Sequence, residues 1–557
     1  MPGGDEAELR KDLSAKLGAL QADQQERLAR HRADELGLAY INLTLYPIDP
    51  DVVELVPKKL ATQAQTVLFY KQGKDVRLGS VNPTLPAFEE VRTFVAEQLR
   101  VEPETLIISQ RSLEVALSRY RPERAPDMPR GEVAISSGSV DDFEAGLAQL
   151  KDLGQHIGKL SPTQLLEILV AGAVKAGASD LHVEPSETEA RLRYRIDGVL
   201  QDIATFPRAG WRTLLSRVKV LASLKLNVRE TPQDGSFVLR VEDQQTYDIR
   251  VSVLPGGEGE NIVLRILNRD TKVASIADLG MKERDYEVVT KELKQSNGLI
   301  LVTGPTGSGK TTTLASFLQE MSTPELKLIT LEDPIEYRLP GVEQTQIDNA
   351  AGYTFAKGLR AILRQDPDVI MVGEIRDAET AETALHAALT GHLFFSTLHT
   401  NAAPGDIPRL LDLQVAPNIL APAINVIIAQ RLVRKVCQEC AQSYTPDAAL
   451  LEHIADAMAG VAASVFDPKT LQSKDVQFMK PGQCEACNNT GYKGRVGIFE
   501  VLPIGGQVEE LILASSDGST IRDAALKDGM TTITQDGYLK VIDKITTIEE
   551  VERVTEE

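Results

Sequence analysis

The spacing of apolar residues divides this chain into stretches of different character. From about residue 28 to 120, "LARHRADELGLAYINL" leads into "IDPDVVELVPKKLATQAQTVLFYKQGKDVRLGSV", and "EVRTFVAEQLR" repeats its apolar positions at helical spacing. The segment "RYRPERAPDMPRGEVAISSGSVDD" keeps no period and is rich in Pro, Arg, Gly and Ser, which predicts a linker. A second unit runs from about 160 to 270. There "SPTQLLEILVAGAVKAGA" opens on a Ser/Thr capping signal and continues as an amphipathic helix. "EARLRYRIDGVLQDI" alternates like a strand interrupted by an Asp-Gly turn, and "YDIRVSVLPGGEGENIVLRIL" predicts two strands around a Gly-rich turn. From about 275 onward, the runs "GLILVT", "LKLITLED", "DVIMVGE" and "HLFFSTLH" alternate with helical segments, the pattern of a parallel sheet wrapped by helices.

Length refines this picture: 557 residues are too many for one core and predict about three domains. With 42% apolar and 25% charged residues the chain reads as globular. Its net charge of −20 argues against a nucleic-acid partner, since affinity for phosphate backbones comes from basic surface. The first twenty residues carry no apolar core fit for a signal peptide, so a cytoplasmic location is expected. No stretch reaches the roughly 18 apolar residues of a spanning helix. "VAPNILAPAINVIIAQRL" comes nearest, contains two Asn and two Pro, and reads as a buried helix. Any membrane role is therefore expected to run through a partner.

Candidate chemistry begins at "GPTGSGKTT". Gly304, Pro305, Thr306, Gly307, Ser308, Gly309, Lys310 and Thr311 fit Gly-x-x-x-x-Gly-Lys-Thr between a strand and a helix, and Thr312 follows. Backbone N–H groups and the helix N-terminus suit phosphates, Lys310 the outer phosphates, and the Thr311 hydroxyl Mg²⁺. Two later strands end in acids: Glu332, Asp333 and Glu336 in "LITLEDPIEY", Glu374 and Asp377 in "DVIMVGEIRD". Carboxylates beyond strand ends can hold hydrated Mg²⁺ or polarise a water, although acids there also serve as helix caps. His399 ends "HLFFSTLH" and could sense γ-phosphate or be structural. Arg360 and Arg364 share one helical face, either as a solvated basic stripe or as arginine fingers for a neighbouring subunit.

The four cysteines form two Cys-x-x-Cys pairs, Cys437/Cys440 and Cys484/Cys487. The spacing suits tetrahedral thiolate coordination of a structural zinc, and the competing reading is a redox dithiol.

Together these residues resemble the traffic ATPases of type II secretion and type IV pilus assembly, over nearly the whole chain. "GPTGSGKTTT" resembles the Walker A loop, "ITLEDPIEY" the aspartate box, "IMVGEIRD" Walker B and "TGHLFFSTLHTN" the histidine box. "IIAQRLVRKVCQEC" and "CEACNNTGYKGRVGIFE" are similar to the tetracysteine segment of secretion and pilus-extension members; "SDLHVEP", "RYRIDG" and "PQDG" resemble the second N-terminal domain. The resemblance implies a multidomain α/β chain. A small N-terminal α/β domain (1–122) and a linker (123–158) would precede an α+β, PAS-like domain (159–272). A RecA-like P-loop NTPase core would follow (273–557), with a zinc-binding tetracysteine insertion at 437–487.

The same resemblance implies a homo-hexamer that binds ATP between second domain and core, with Mg²⁺. It carries a γ-phosphate contact to His399, a Walker B role to Glu374 and water activation to Glu336, with Glu332 and Asp333 beside the nucleotide. Arginine donors map to Arg195, Arg217, Arg229 and Arg360. Two departures stand in "VRETPQDGSF", where Glu230 and Ser236 occupy positions at which arginine is usual. The repeated "RLGELL"-type motif of members that bind cyclic di-GMP is absent, so that ligand is not expected. The implied function is a motor driving pilin polymerisation through an inner-membrane platform protein, with an adaptor at the first domain as a further partner. Alternatives are a secretion-pseudopilus ATPase and, in another class, a nucleotide-gated docking scaffold.

Overall fold

The computed structural model describes residues 24–46, 48–73, 75–99, 101–117, 119–120, 132–135, 161–241, 245–269, 273–349, 351–472 and 476–556. Two compact units contain them, Met1–Pro129 and Arg130–Glu557.

In the first unit, Ala39–Tyr40, Glu104–Ile107, Asp75–Ser80 and Thr66–Gln72 lie side by side in one sheet. Helix Pro86–Leu99 buries Phe88, Val91 and Val95, the three- and four-residue spacing that puts apolar side chains on one face.

The second unit holds two seven-stranded sheets. The earlier one joins two three-stranded antiparallel meanders side by side, with a parallel strand added at one edge, and is backed by helices Pro162–Lys175 and Arg208–Leu221. Ser161 caps the first helix as expected: its hydroxyl accepts from Gln164 N–H while the Gln164 side chain returns to the Ser161 N–H. Strands Glu189–Ile196 and Val199–Pro207 meet at Asp197-Gly198, with φ of +47° and +86°. That is the mirror-image turn whose twist matches a hairpin. Residues Glu132–Ile135, inside the expected linker, form a strand parallel to Gln233–Val241; the remainder of 123–158 lies outside the described residues.

The core sheet runs Val342–Gln346, Leu328–Glu332, Val369–Val372, Leu393–Leu398, Gly298–Thr303, Ile424–Val436, Tyr492–Pro503. All neighbours are parallel except the last pair. The four strands Leu328–Glu332, Val369–Val372, Leu393–Leu398 and Gly298–Thr303 are buried at every position, which explains why they are mostly apolar rather than alternating. One expectation needs correction. "VAPNILAPAINVIIAQRL" is not a single buried helix: helix Pro417–Ala423 ends where strand Ile424–Val436 begins. The β-branched residues Val426, Ile427 and Ile428 pair with Gly298–Thr303 on one side and Tyr492–Pro503 on the other, and Ile424 pairs with Leu299.

Candidate nucleotide site and cysteine centre

The carboxyl ends of the parallel strands open into a cleft of about 800 Å³, walled on its far side by the second domain. Two glycines set the loop at its floor. A β-carbon at Gly304 (φ +145°) would lie 2.4 Å from the carbonyl of Gln430, and one at Gly309 (φ +92°) 2.8 Å from the Gln430 Nε2. The loop therefore rests directly on strand Ile424–Val436, and Gln430, whose Oε1 accepts from Thr313 Oγ1 at 2.7 Å, pins the following helix. Sequence reasoning passed over Gln430; its signal was one polar residue in the apolar run "NVIIAQRL".

Lys310 Nζ donates to the carbonyls of Gly304 (2.7 Å) and Pro305 (3.2 Å), and burial lowers its pKa. Ser308 is buried and its hydroxyl has no hydrogen-bond partner. An orphaned hydroxyl beside the N-terminus of helix Lys310–Met321 fits an anion, because the first N–H groups of a helix also lack partners. Thr311 is half-buried on the cleft wall, and Thr312 Oγ1 lies 3.0 Å from Tyr337 Oη.

Glu332 is buried and already engaged, accepting from Thr330 (2.6 Å) and Gln344 (3.0 Å), and burial raises its pKa. Asp333 and Glu336 are exposed on the cleft rim. Arg250, which faces Ser236 across the neighbouring strand of the second domain, donates to the carbonyl of Ile335 at 3.3 Å. Burial lowers its pKa, and the charge of Glu336 offsets part of that. Glu374 pairs with Arg376 (2.5 Å) and His399 Nε2 (3.2 Å). Burial alone would raise its carboxyl, but Arg376 and His399 outweigh it and hold the pKa below the ordinary value. Asp377 caps helix Ala378–Leu389 by accepting from Thr380 N–H at 2.8 Å, so the cap reading holds for that acid.

From the second domain, Arg195 lines the cleft, 3.5 Å from the buried Asp180. Arg265, which sequence reasoning missed, reaches the other oxygen of Asp180 at 2.9 Å. One carboxylate thus holds two guanidiniums toward the phosphate loop. The alternating strand "NIVLRIL" placed Arg265 on that face, and only pairing with "SDLHVEP" reveals it. Arg217, Arg229 and Arg360 are not among the lining residues. Arg217 Nε is buried without a hydrogen-bond partner, Arg229 is exposed, and Arg360 pairs with Glu379. Arg431, Arg553 and Val554 close the cleft's third side, where Arg431 donates to the Val554 carbonyl.

Below the loop, Asp406 is fully buried and accepts from Thr400 Oγ1 at 2.6 Å, while Thr400 meets Thr303 Oγ1 at 3.0 Å. Burial pushes the Asp406 carboxyl up to about 7.

The four cysteine sulfurs lie within 4.8 Å of one another. Sγ separations are 3.7 Å for Cys437–Cys484, 3.7 Å for Cys440–Cys487 and 3.6 Å for Cys484–Cys487. These are too long for disulfides, and they approach the roughly 3.8 Å edge of a tetrahedron with 2.3 Å metal–sulfur bonds.

Residues 158–553 match the family described as type II/IV secretion system protein, and residues 36–127 match the MshEN domain. The type IV pilus assembly ATPase PilB of Myxococcus xanthus is 34% identical over 96% of this chain and 92% of its own. A type II secretion system protein E from Pseudomonas aeruginosa is 43% identical over 73% of this chain and 78% of its own. The solved structure of the Legionella pneumophila ATPase DotB, at 22% identity, superposes with a TM-score of 0.51 over 71% of this chain and 96% of its own, a likeness of fold. With a parallel core sheet, a phosphate loop and these matches, the chain belongs to the type II/IV secretion system protein family and is an ATPase of the secretion type.

Proposed function

We propose that the chain is a hexameric motor that spends ATP to drive pilin polymerisation in type IV pilus assembly, working at the inner face of the cytoplasmic membrane through a platform protein. The observation that carries this reading is similarity along nearly the full length, first unit included, to a pilus assembly ATPase. A second reading, the type II secretion pseudopilus, is favoured by the 43% identity to a type II secretion system protein E over 73% of this chain. Among the described residues, no helix is long and apolar enough to cross a membrane, which fits action through a partner.

In this mechanism the phosphates sit on the loop Gly304–Thr312, where the Ser308 hydroxyl and the helix N-terminus supply donors. Lys310 exchanges its two backbone carbonyl partners for phosphate oxygens, and its lowered pKa measures what that burial costs before nucleotide arrives. Thr311 would hold Mg²⁺, which neutralises charge on the outer phosphates. Glu336 orients the attacking water; Glu374, kept ionised by Arg376 and His399, fixes His399 toward the γ-phosphate. Arg195 and Arg265 approach from the second domain, and Arg250 takes over at Ser236, where an arginine was missing. Arg217, Arg229 and Arg360 stand outside the chain's own cleft and fit donation to a neighbouring subunit only after rearrangement. Cys437, Cys440, Cys484 and Cys487 would hold a structural zinc; their tetrahedral separations support it.

The test is turnover in the presence of the cytoplasmic domain of a pilus platform protein and of a secretion platform protein. Selective stimulation by the first is expected. Selective stimulation by the second moves the protein to secretion, and no stimulation by either leaves a docking scaffold.

A further inference from the structure

The strand that follows the cysteine centre meets the second domain at the nucleotide cleft. At the tip of hairpin Glu189–Ile196/Val199–Pro207, the Asp197 carboxylate leaves its own domain: Oδ2 accepts from the Gly494 N–H at 2.9 Å, and Oδ1 lies 4.0 Å from Arg495 Nε. Gly494 (φ +77°) follows closely on the cysteine centre. The Gly491 N–H donates to Cys487 Sγ at 3.2 Å, the Cys437 N–H donates to the Gly491 carbonyl at 2.9 Å, and Tyr492 pairs with Val436. The sulfur cluster thereby fixes the backbone three residues before Gly494. Asp197, Gly198 and Arg495 all line the cleft that holds the phosphate loop.

We propose that Asp197 is a positioning residue that couples the cysteine centre to nucleotide binding: an ordered centre presents the Gly494 N–H, and Asp197 uses it to hold the second domain closed over ATP. This rests on the nucleotide and metal readings above. It gives the metal a role beyond local folding, because a bond between a backbone donor and a half-buried carboxylate is stronger than a neutral one and depends on the donor's exact placement. Arg250 bridges the same two domains at Ile335, so the coupling is partial.

The perturbation is Asp197→Gly, which removes the carboxylate yet accepts the positive φ of the turn without strain, with Asp197→Asn as the conservative control. Affinity for a fluorescent ATP analogue is measured on full-length protein as purified and after chelator treatment, with zinc content and hydrogen exchange of residues 492–499 followed on the same samples. Chelation is expected to weaken wild-type binding about tenfold, the share of one charge-assisted hydrogen bond. Asp197→Gly should start about tenfold weaker, show faster exchange at Gly494 and change less than twofold on chelation; Asp197→Asn should recover most of the affinity. Equal losses on chelation in wild type and Asp197→Gly, or wild-type affinity in Asp197→Gly, overturn the coupling. Absence of nucleotide binding in untreated wild type, or absence of zinc, would instead strike the underlying readings, so the failures are distinguishable.

Discussion

Glu550 anchors the C-terminal helix Ile548–Thr555, which brings Arg553 and Val554 to the cleft. Its carboxylate is 2% exposed and accepts from Arg434 Nη2 (2.5 Å), the Arg434 N–H (3.1 Å), Arg553 Nε (2.9 Å) and Arg553 Nη2 (2.8 Å). Burial alone would raise its pKa, but the two arginines outweigh it and hold the group at about 2 instead of 4.5. At about 1.4 kcal/mol per pKa unit, that depression is worth about 3 kcal/mol at neutral pH. Removing one partner of a buried ion pair independently costs about 3–5 kcal/mol. Glu550→Gln should therefore free the terminal helix by about 3 kcal/mol, read as a roughly hundredfold loss of hydrogen-exchange protection across residues 547–555. A local readout is needed because a multidomain chain of this length does not unfold in two states.

The sign with pH is fixed by the depressed pKa. The contribution is fully present above 4.5 and is lost as pH falls through about 2. At pH 3.5 the gap between wild type and Glu550→Gln should already have narrowed by about 1.4 kcal/mol. Protection that changes less than threefold in Glu550→Gln, or a gap that stays constant on acidification, would refute the reasoning.

Further outcomes follow from the same structure. Glu374→Gln should bind nucleotide within a few-fold of wild type while hydrolysis falls at least about a hundredfold, measured by equilibrium binding and steady-state turnover. Asp406 carries a raised pKa of about 7, so its contribution to stability is full at low pH and is lost as pH rises through about 7. Asp406→Asn, which cannot ionise, should flatten the fall of the thermal midpoint between pH 5 and 8; an unchanged slope counts against it. Protein purified without chelator should carry about one zinc per chain by elemental analysis, and Cys487→Ser should lose it.

Much of this was legible in the sequence where chemistry is local. The phosphate loop, the acids that follow strands and the cysteine pairs each announce themselves within a dozen residues, because strand, turn and helix N-terminus are contiguous. The Ser161 cap and the Asp197-Gly198 turn were readable for the same reason. Long-range pairing was not. Arg265 joins the cleft only because Asp180, 85 residues earlier, draws it there across neighbouring strands. Arg195 was foreseen by resemblance, whereas Arg217, Arg229 and Arg360 sit where packing, exposure or Glu379 holds them away. The segment 415–432 misled because its apolar run suits a helix as well as a strand, and only the two flanking strands decide between them.

The central claim is that this cleft hydrolyses ATP and is completed when subunits assemble. The most direct measurement is Mg²⁺-dependent ATP hydrolysis by wild type and Lys310→Ala across a protein concentration series, with oligomeric state read on the same samples. Specific activity should climb as wild-type rings form, while Lys310→Ala stays at background even when assembled. Turnover by assembled Lys310→Ala at the wild-type rate, or wild-type activity indifferent to ring formation, would contradict the account.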